Sequence, residues 1–131
     1  MYTLEERLEK ARRLRAEGSN CSQCVVGAFD DIIGSDMEPL LRAAHGFGSG
    51  IGGTGHMCGA VTGAAMVLGL VRDSSRPVLY GEISDVSREF EALEGALMCR
   101  ELKGVEGRKP CLQLILDEVE MLHRRLFPTE A

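Results

Sequence analysis

The chain has 131 residues, of which 44% are hydrophobic, and this is enough for one sizeable core but too little for two domains. We therefore expect a single domain over residues 1–131. Its 20 Asp and Glu outnumber its 15 Lys and Arg, which gives a formal net charge of -5. A chain with this charge has no general positive field, so nucleic acid and anionic membranes are excluded as expected partners.

The five cysteines of the chain indicate a protein that works in a reducing compartment. The first residues resemble an Arg-rich transit peptide, but four glutamates between Glu5 and Glu17 contradict that composition, and no apolar signal core precedes them. The longest uncharged stretch, 43–71, is glycine-rich in its first half and too short in its second to span a bilayer. We expect a cytoplasmic protein in which the five cysteines bind metal or carry out redox chemistry.

Three helices are predicted in the first third of the chain. Apolar residues recur at helical spacing before Gly18, which ends the first helix. Asn20 is a favoured N-cap, and Gln23 three residues later completes the pattern of a capping box. The three predicted helices span residues 3–17, 20–34 and 37–45.

The middle of the chain combines a glycine-rich segment with a very apolar one. Residues 46–55, GFGSGIGGTG, are too rich in glycine for a regular element, whereas 58–71 is apolar nearly all round and predicts a buried central helix. The G-x-G-x-x-G within the loop is a weak nucleotide motif, because no strand precedes it and no Lys follows. Its glycines are better explained by turns with positive φ and close packing beside the thiols, where exposed N–H groups could hold a small anion.

The last part of the chain predicts two helices. Apolar residues from Leu79 to Leu97 recur at alternating steps of four and three, which predicts a long helix ending near Cys99 and a seam on which two chains could pair as a homodimer. Glu89, Glu91 and Glu94 would lie on its solvated side. Pro110 then starts a final helix. Since no segment alternates like a strand, we predict an all-α bundle of five or six helices.

Three cysteines are predicted to lie in the first turn of a helix: Cys21, Cys58 and Cys111. Unpaired N–H groups and the positive end of the helix dipole stabilise a thiolate there, so we expect a depressed pKa for Cys58. Cys99 is predicted at the end of the long helix, where a short loop would bring it near Cys111. Any one of these residues could simply be a small buried hydrophobe.

Cys21 and Cys24 form a C-x-x-C motif of moderate specificity. It lacks the βαβ surroundings of a thioredoxin motif and the His of a haem attachment site, and no second pair completes a zinc ribbon. His56 could tune Cys58 or serve as a metal ligand, although a solvated loop histidine is the simpler interpretation. His45 and His123 are interpreted as surface or boundary residues.

Several separated motifs resemble one known family. They are Asn20-Cys21, Cys58-Gly59-Ala60-Val61-Thr62-Gly63, Cys99-Arg100-Glu101-Leu102 and Cys111. In this order they closely resemble the C_GCAxxG_C_C family of redox-active proteins, over residues 19–126. The resemblance implies a small, mostly helical protein with Cys21, Cys58, Cys99 and Cys111 as signature cysteines. The resemblance also implies a relation to domains of multi-cofactor electron-transfer proteins, in which cysteines can hold an iron–sulfur centre. Cys24 stands where the family usually has a small residue.

Three functions are compatible with these residues. In the first, the four signature cysteines of a thiol oxidoreductase cycle between dithiol and disulfide, with a redox protein or a small molecule as partner. In the second, the same four hold an iron–sulfur cluster or zinc, with Cys24 or His56 as an extra ligand. In the third, the cysteines only fill space. The first two both require the four sulfurs to converge in one small pocket.

Overall fold

The computed structural model describes residues 1–104 and 107–128, and over these residues the fold is all-α, as predicted. Outside the helices, the described residues contain one isolated antiparallel bridge, between Met57 and Met98. The helices are α1 (Leu4–Ala16), α2 (Cys21–Gly27), α3 (Asp30–Ile33), α4 (Met37–His45), α5 (Gly59–Val71), α6 (Arg76–Glu94), α7 (Cys99–Leu102) and α8 (Cys111–Leu126).

The described residues contain eight helices, whereas the sequence predicts five or six. The additional ones, α3 and α7, have four residues each, which is too short for a periodic pattern to reveal. The helix predicted over 20–34 is divided because Phe29, with φ -111° and ψ 22°, leaves the helical conformation. Within the predicted loop 103–109, Val105 and Glu106 lie outside the described residues.

Local capping signals at the start of the chain are confirmed. The Asn20 side chain accepts a hydrogen bond from the Gln23 N–H at 3.0 Å, and the Gln23 side chain accepts one from the Asn20 N–H at 2.9 Å. Thr3 and Glu6 form a second capping box at the start of α1. Both boxes satisfy N–H groups that a helix start otherwise leaves unpaired.

Helix α5 lies at the centre of the fold and packs mainly on α2. A Cβ atom on Gly63 would lie 2.9 Å from the Cβ of Val25 and 3.0 Å from the carbonyl oxygen of Ser22, so only glycine allows the two helices to approach this closely. At 13 residues, α5 is too short to span a bilayer. No helix among residues 1–104 and 107–128 is both long enough and apolar enough to cross a membrane.

The long helix ends earlier than predicted. Gly95 adopts the left-handed conformation with φ 93° and terminates α6 at Glu94, because only glycine enters this conformation without steric cost. Val86 and Phe90 of the apolar seam are buried in the core of the chain, whereas Leu93 is 53% exposed. Pairing of two chains through this seam stays a prediction. Glu94, predicted on the solvated side, is buried and accepts a hydrogen bond from the Lys109 Nζ at 2.7 Å.

A buried arginine connects both ends of the chain. Arg7 of α1 donates two hydrogen bonds to the carboxylate of Asp31, at 2.6 and 2.9 Å. Its Nε donates to His123 Nδ1 of α8 at 2.9 Å. The interpretation of His123 as a surface or boundary residue is therefore wrong, since it is 2% exposed. The apolar spacing of α8 does not reveal that Arg7 of α1 packs against His123.

A second buried polar group, Glu118 of α8, has an unusual environment. Its side chain is inaccessible to solvent, and neither carboxyl oxygen has a hydrogen-bond partner among the described residues. Burial raises the pKa of this carboxyl group to about 9, and the nearby Glu89 and Glu94 add to the effect. Glu118 is therefore protonated and neutral at pH 7 in the folded protein.

Glu118→Gln is expected to stabilise the protein at alkaline pH. A pKa that is higher in the folded chain than the value of 4.5 in the unfolded chain means that unfolding releases a proton between these pH values. The contribution of Glu118 to the free energy of unfolding should thus fall as the pH rises from about 4.5 to 9 and stay constant above. The uncharged glutamine removes this dependence, which we expect to raise stability at pH 8 by about 2 kcal/mol or more.

Urea unfolding at several pH values measures this effect. The matched control is Glu120→Gln on the same helix, where the carboxylate is half-exposed and pairs with Arg124. The control should follow the native pH dependence. Parallel curves for the native protein and Glu118→Gln would contradict a neutral buried Glu118.

Candidate functional site

All four signature cysteines lie at the start of a helix. Cys21, Cys99 and Cys111 are the first residues of α2, α7 and α8, and Cys58 is the N-cap residue of α5. The placement of Cys99 at the end of the long helix is wrong. Gly95 ends that helix, the chain becomes extended at Met98, and a new helical turn begins at Cys99.

These four helix starts meet at one cavity of about 100 Å³, which Cys21, Cys58, Cys99 and Cys111 all line. The four cysteines thus line one cavity, as the sequence predicts, but no two of these described cysteines lie at disulfide distance. All five cysteines of the chain are free thiols. Cys58 is buried, whereas the other three cavity cysteines are half-buried, so the cavity has one inner thiol and three nearer to solvent.

A backbone bridge holds two of these cysteines beside each other. Met57 and Met98 face each other in an antiparallel bridge. The Cys58 N–H donates to the Leu97 carbonyl at 2.9 Å, and the Cys99 N–H donates to the His56 carbonyl at 2.6 Å. Cys58 and Cys99 are thereby tied at the ends of two segments that are about 40 residues apart in sequence.

The glycine-rich loop forms the wall beside this bridge. Five consecutive residues, 49–53, have positive φ, including the non-glycine residues Ser49 (51°) and Ile51 (68°). Such angles are costly for residues with a Cβ atom and persist only where surrounding structure enforces them. Ser49 and Gly50 line the cavity. A Cβ atom on Gly50 would lie 2.5 Å from the His56 nitrogen, so glycine is required where the loop meets the bridge.

Comparison with known proteins places the chain in a family. Residues 19–125 match the family described as "Putative redox-active protein (C_GCAxxG_C_C)". The chain belongs to the C_GCAxxG_C_C family. A relative from Archaeoglobus fulgidus, named "Uncharacterized protein", is 28% identical over 140 aligned residues, which cover 88% of this chain and 93% of the relative. No solved structure matches the chain.

The electrostatics of this C_GCAxxG_C_C protein differ from the prediction for Cys58. Its sulfur accepts hydrogen bonds from the N–H groups of Ala60 and Val61, which lower the pKa as expected at a helix start. Burial outweighs these bonds, however, and raises the pKa of Cys58 to about 11. The predicted depression of the Cys58 pKa is therefore wrong, because desolvation destabilises the thiolate by more than hydrogen bonds from two N–H groups stabilise it.

Cys21 is affected in the same direction. Burial raises the pKa of Cys21 to about 12, with further increases from Cys111 and Cys58 and a decrease from the positive charge of Arg15. Both Cys21 and Cys58 are therefore protonated at pH 7. Neutral thiols can crowd into one cavity, whereas the corresponding thiolates would repel each other.

The two additional candidates from the sequence lie apart from the cavity. Cys24 is buried, its sulfur donates to the Ser19 carbonyl at 3.6 Å, and burial raises its pKa to about 11. His56 is exposed, with Nδ1 2.8 Å from the hydroxyl of Thr54. Neither residue lines the cavity. His56 contributes to the site through its backbone carbonyl, which accepts the Cys99 N–H.

The four cavity cysteines have the right chemistry for zinc or an iron–sulfur cluster, since thiolates are preferred ligands of both. Their arrangement does not form a ready cage, however. Across 1–104 and 107–128, no three Cys, His, Asp or Glu side chains are placed so that they could hold one metal ion. The metal-binding interpretation stays a prediction.

Sequence reasoning missed the basic residues of the site. The cavity is also lined by Arg15, Lys103, Arg108 and Lys109. Three of these belong to the segment around KGVEGRK, which the sequence identified only as a connecting loop. Its density of positive charge next to Cys111 was the available signal. The Lys109 ammonium donates to Glu94 and Asp117, at 2.7 and 2.9 Å.

Proposed function

We propose that this C_GCAxxG_C_C protein is a thiol oxidoreductase whose cavity cysteines cycle between dithiol and disulfide. The observation that carries this proposal is the meeting of four helix starts, each with a cysteine, at one cavity. Buried cysteines that only fill space would be expected to scatter through the core, as Cys24 does. A redox protein or a small molecule would serve as the partner.

We assign the cavity cysteines to two redox couples, Cys58 with Cys99 and Cys21 with Cys111. The bridge ties Cys58 and Cys99 together. Among the neighbouring thiols, Cys99 has the largest effect on the pKa of Cys58, and Cys111 has the largest effect on the pKa of Cys21. Charge interaction grows as distance shortens, so each cysteine is matched with a near neighbour. No pair of the described cysteines lies at disulfide distance, so forming either disulfide requires the helix starts to move.

In the couple of Cys58 and Cys99, the half-buried Cys99 is suited to meet an incoming disulfide. In the first couple, the Cys99 thiolate attacks one sulfur of a disulfide R–S–S–R, its S–S bond breaks, and R–S⁻ leaves and takes up a proton. Cys58 then loses its proton and attacks the Cys99 sulfur of the mixed disulfide, which releases the second R–S⁻. Two electrons pass from the protein thiols to R–S–S–R, giving one internal disulfide and two R–SH.

Formation of the mixed disulfide also prepares Cys58 for its own step. The possible negative charge on Cys99 is one cause of the raised pKa of Cys58. Once the Cys99 sulfur is bonded to the incoming group, it cannot carry a charge, and this repulsion disappears. The Cys58 thiol therefore ionises more readily at the moment when its thiolate is required.

Counting thiols during oxidation tests the proposal. Anaerobically purified, fully reduced protein should contain five free thiols, and a small disulfide should remove them in steps of two. A dithiol reductant should restore all five. Peptide mapping should find Cys24 unmodified, since it is buried away from the cavity. Irreversible or random oxidation that includes Cys24 would contradict the proposal.

Metal analysis and a visible spectrum of the same preparation test the alternative. About one equivalent of zinc, or an iron–sulfur absorption band, that disappears when any cavity cysteine is replaced by Ser would favour the binding module. Metal-free protein with reversible thiol chemistry would favour the oxidoreductase.

A further inference from the structure

The composition of the chain does not explain why basic residues surround the cysteine cavity. The protein has a net charge of -5, yet four cationic side chains line the cavity and no described acidic residue does. A random sample of this surface would contain more carboxylates than cations. The local excess of positive charge therefore needs an explanation specific to the cavity.

Three of the four cations have no acidic partner among the residues that the structure describes. Lys109 pairs with Glu94 and Asp117. In contrast, Arg15, Lys103 and Arg108 form no ion pair within the described ranges 1–104 and 107–128. The Arg15 guanidinium donates to the Ser19 carbonyl at 3.2 Å, which keeps it beside the start of α2. These residues would otherwise repel one another, so their grouping is unfavourable without an anion.

Two of the cavity thiols, Cys21 and Cys58, do not supply that anion. Because the pKa values of Cys21 and Cys58 are raised to about 12 and about 11, both sulfurs are uncharged at neutral pH. Within the described ranges 1–104 and 107–128, no acidic side chain neutralises Arg15, Lys103 and Arg108, so their positive charge is available to an anionic ligand.

We propose that the cavity selects small anionic disulfides, in which a carboxylate lies a few bonds from the reacting sulfur. This inference rests on the proposed thiol oxidoreductase function and names its substrate class. Arg15, Lys103 and Arg108 hold the carboxylate at the mouth, and the disulfide reaches the half-buried cysteines. A cavity of about 100 Å³ has room for one end of such a molecule, comparable to the engineered cavities that admit a benzene ring.

Three small disulfides of similar size but different charge test this proposal. They are 3,3′-dithiodipropionate (anionic), bis(2-hydroxyethyl) disulfide (neutral) and cystamine (cationic). Each is reacted with reduced native protein, with Arg15→Gln, with Lys103→Gln and with Arg108→Gln. The control is Arg12→Gln, which removes an exposed positive charge on α1 outside the cavity. The rate of each variant is divided by the native rate with the same disulfide, so differences in intrinsic reactivity between the three disulfides cancel.

Each cavity variant should react about three- to tenfold more slowly with the anionic disulfide, about equally with the neutral one, and faster with the cationic one. The native rate with the anionic disulfide should also fall as salt concentration rises. A slower reaction with the anionic disulfide together with a faster one with the cationic disulfide indicates that the cavity recognises charge. A structural effect or a changed thiol pKa would instead shift the rates with all three disulfides in the same direction. The control should match the native protein with every probe.

Different outcomes of this experiment would overturn the preference for anionic disulfides and the oxidoreductase function. Equal changes with all three disulfides, with no salt dependence, would overturn the anionic preference while leaving the oxidoreductase intact. Failure of all three to oxidise the native cavity cysteines would overturn the oxidoreductase proposal and, with it, the substrate class.

Discussion

Cys58→Ser is expected to prevent Cys99 from entering an internal disulfide and to leave it as a mixed disulfide with the oxidant. Cys58 is the inner thiol of the cavity, and the Met57–Met98 bridge holds it beside Cys99. Without the resolving sulfur, the second displacement cannot occur, so the reaction stops after the first. The couple of Cys21 and Cys111 remains intact and should still oxidise.

Intact-protein mass spectrometry measures this outcome. After treatment with bis(2-hydroxyethyl) disulfide, native protein should lose only the hydrogens of its internal disulfides. Cys58→Ser should gain one hydroxyethylthio group, which peptide mapping places on Cys99. Cys24→Ser is the matched control, because Cys24 is equally buried but does not line the cavity, and it should behave like the native protein. An adduct-free, fully oxidised Cys58→Ser protein would refute the assignment of Cys58 as the resolving thiol.

Gly50→Ala is expected to disrupt the cysteine cavity and to destabilise the fold by about 3 kcal/mol or more. Gly50 has φ 72°, and an added Cβ atom would lie 2.5 Å from the His56 nitrogen and 2.8 Å from its carbonyl oxygen. That carbonyl accepts the Cys99 N–H. These are backbone atoms, so the collision cannot be relieved by a change of rotamer, and the contact between the loop and Cys99 must open.

Gly53→Ala is the matched control, because it introduces the strain of an alanine with positive φ without a steric clash. Gly53 has φ 80°, but a Cβ atom there would meet nothing within 4 Å. This control should therefore show only the cost of placing alanine in the left-handed region, about 1 kcal/mol. Denaturant unfolding gives the stability of both variants, and alkylation of Cys99 reports on the opening of the site. Similar stabilities for the two variants would show that the loop is not packed tightly on the bridge.

The crowding of four cysteines depends on their protonation. A helix start favours a thiolate, and the site contains four of them, yet burial keeps Cys58 and Cys21 in the neutral form. If all were ionised in one cavity of about 100 Å³, their mutual repulsion would oppose folding. Cys21 and Cys58 are thus held as uncharged thiols, and the proposed redox cycle requires each of them to ionise only when it reacts.

Local signals in the sequence determined the helices and most of their starts. The capping box of Asn20 and Gln23, the Pro110 before α8 and the bounds 37–45 of α4 are all found in the structure. Capping depends on residues within one turn, so it can be read without knowledge of the fold. The four signature cysteines and their family could be identified for the same reason, because their motifs are local.

The tertiary structure decided the properties of the cysteines. The position of Cys99 depends on the left-handed Gly95 and on a bridge to Met57, a residue about 40 positions away. The pKa of Cys58 depends on how many atoms from other helices exclude water from its sulfur. Burial and long-range pairing arise from elements distant in sequence, and their energies exceed those of the helix start. For this reason the sequence predicted where the thiols lie along the chain, whereas packing determined their charge and their neighbours.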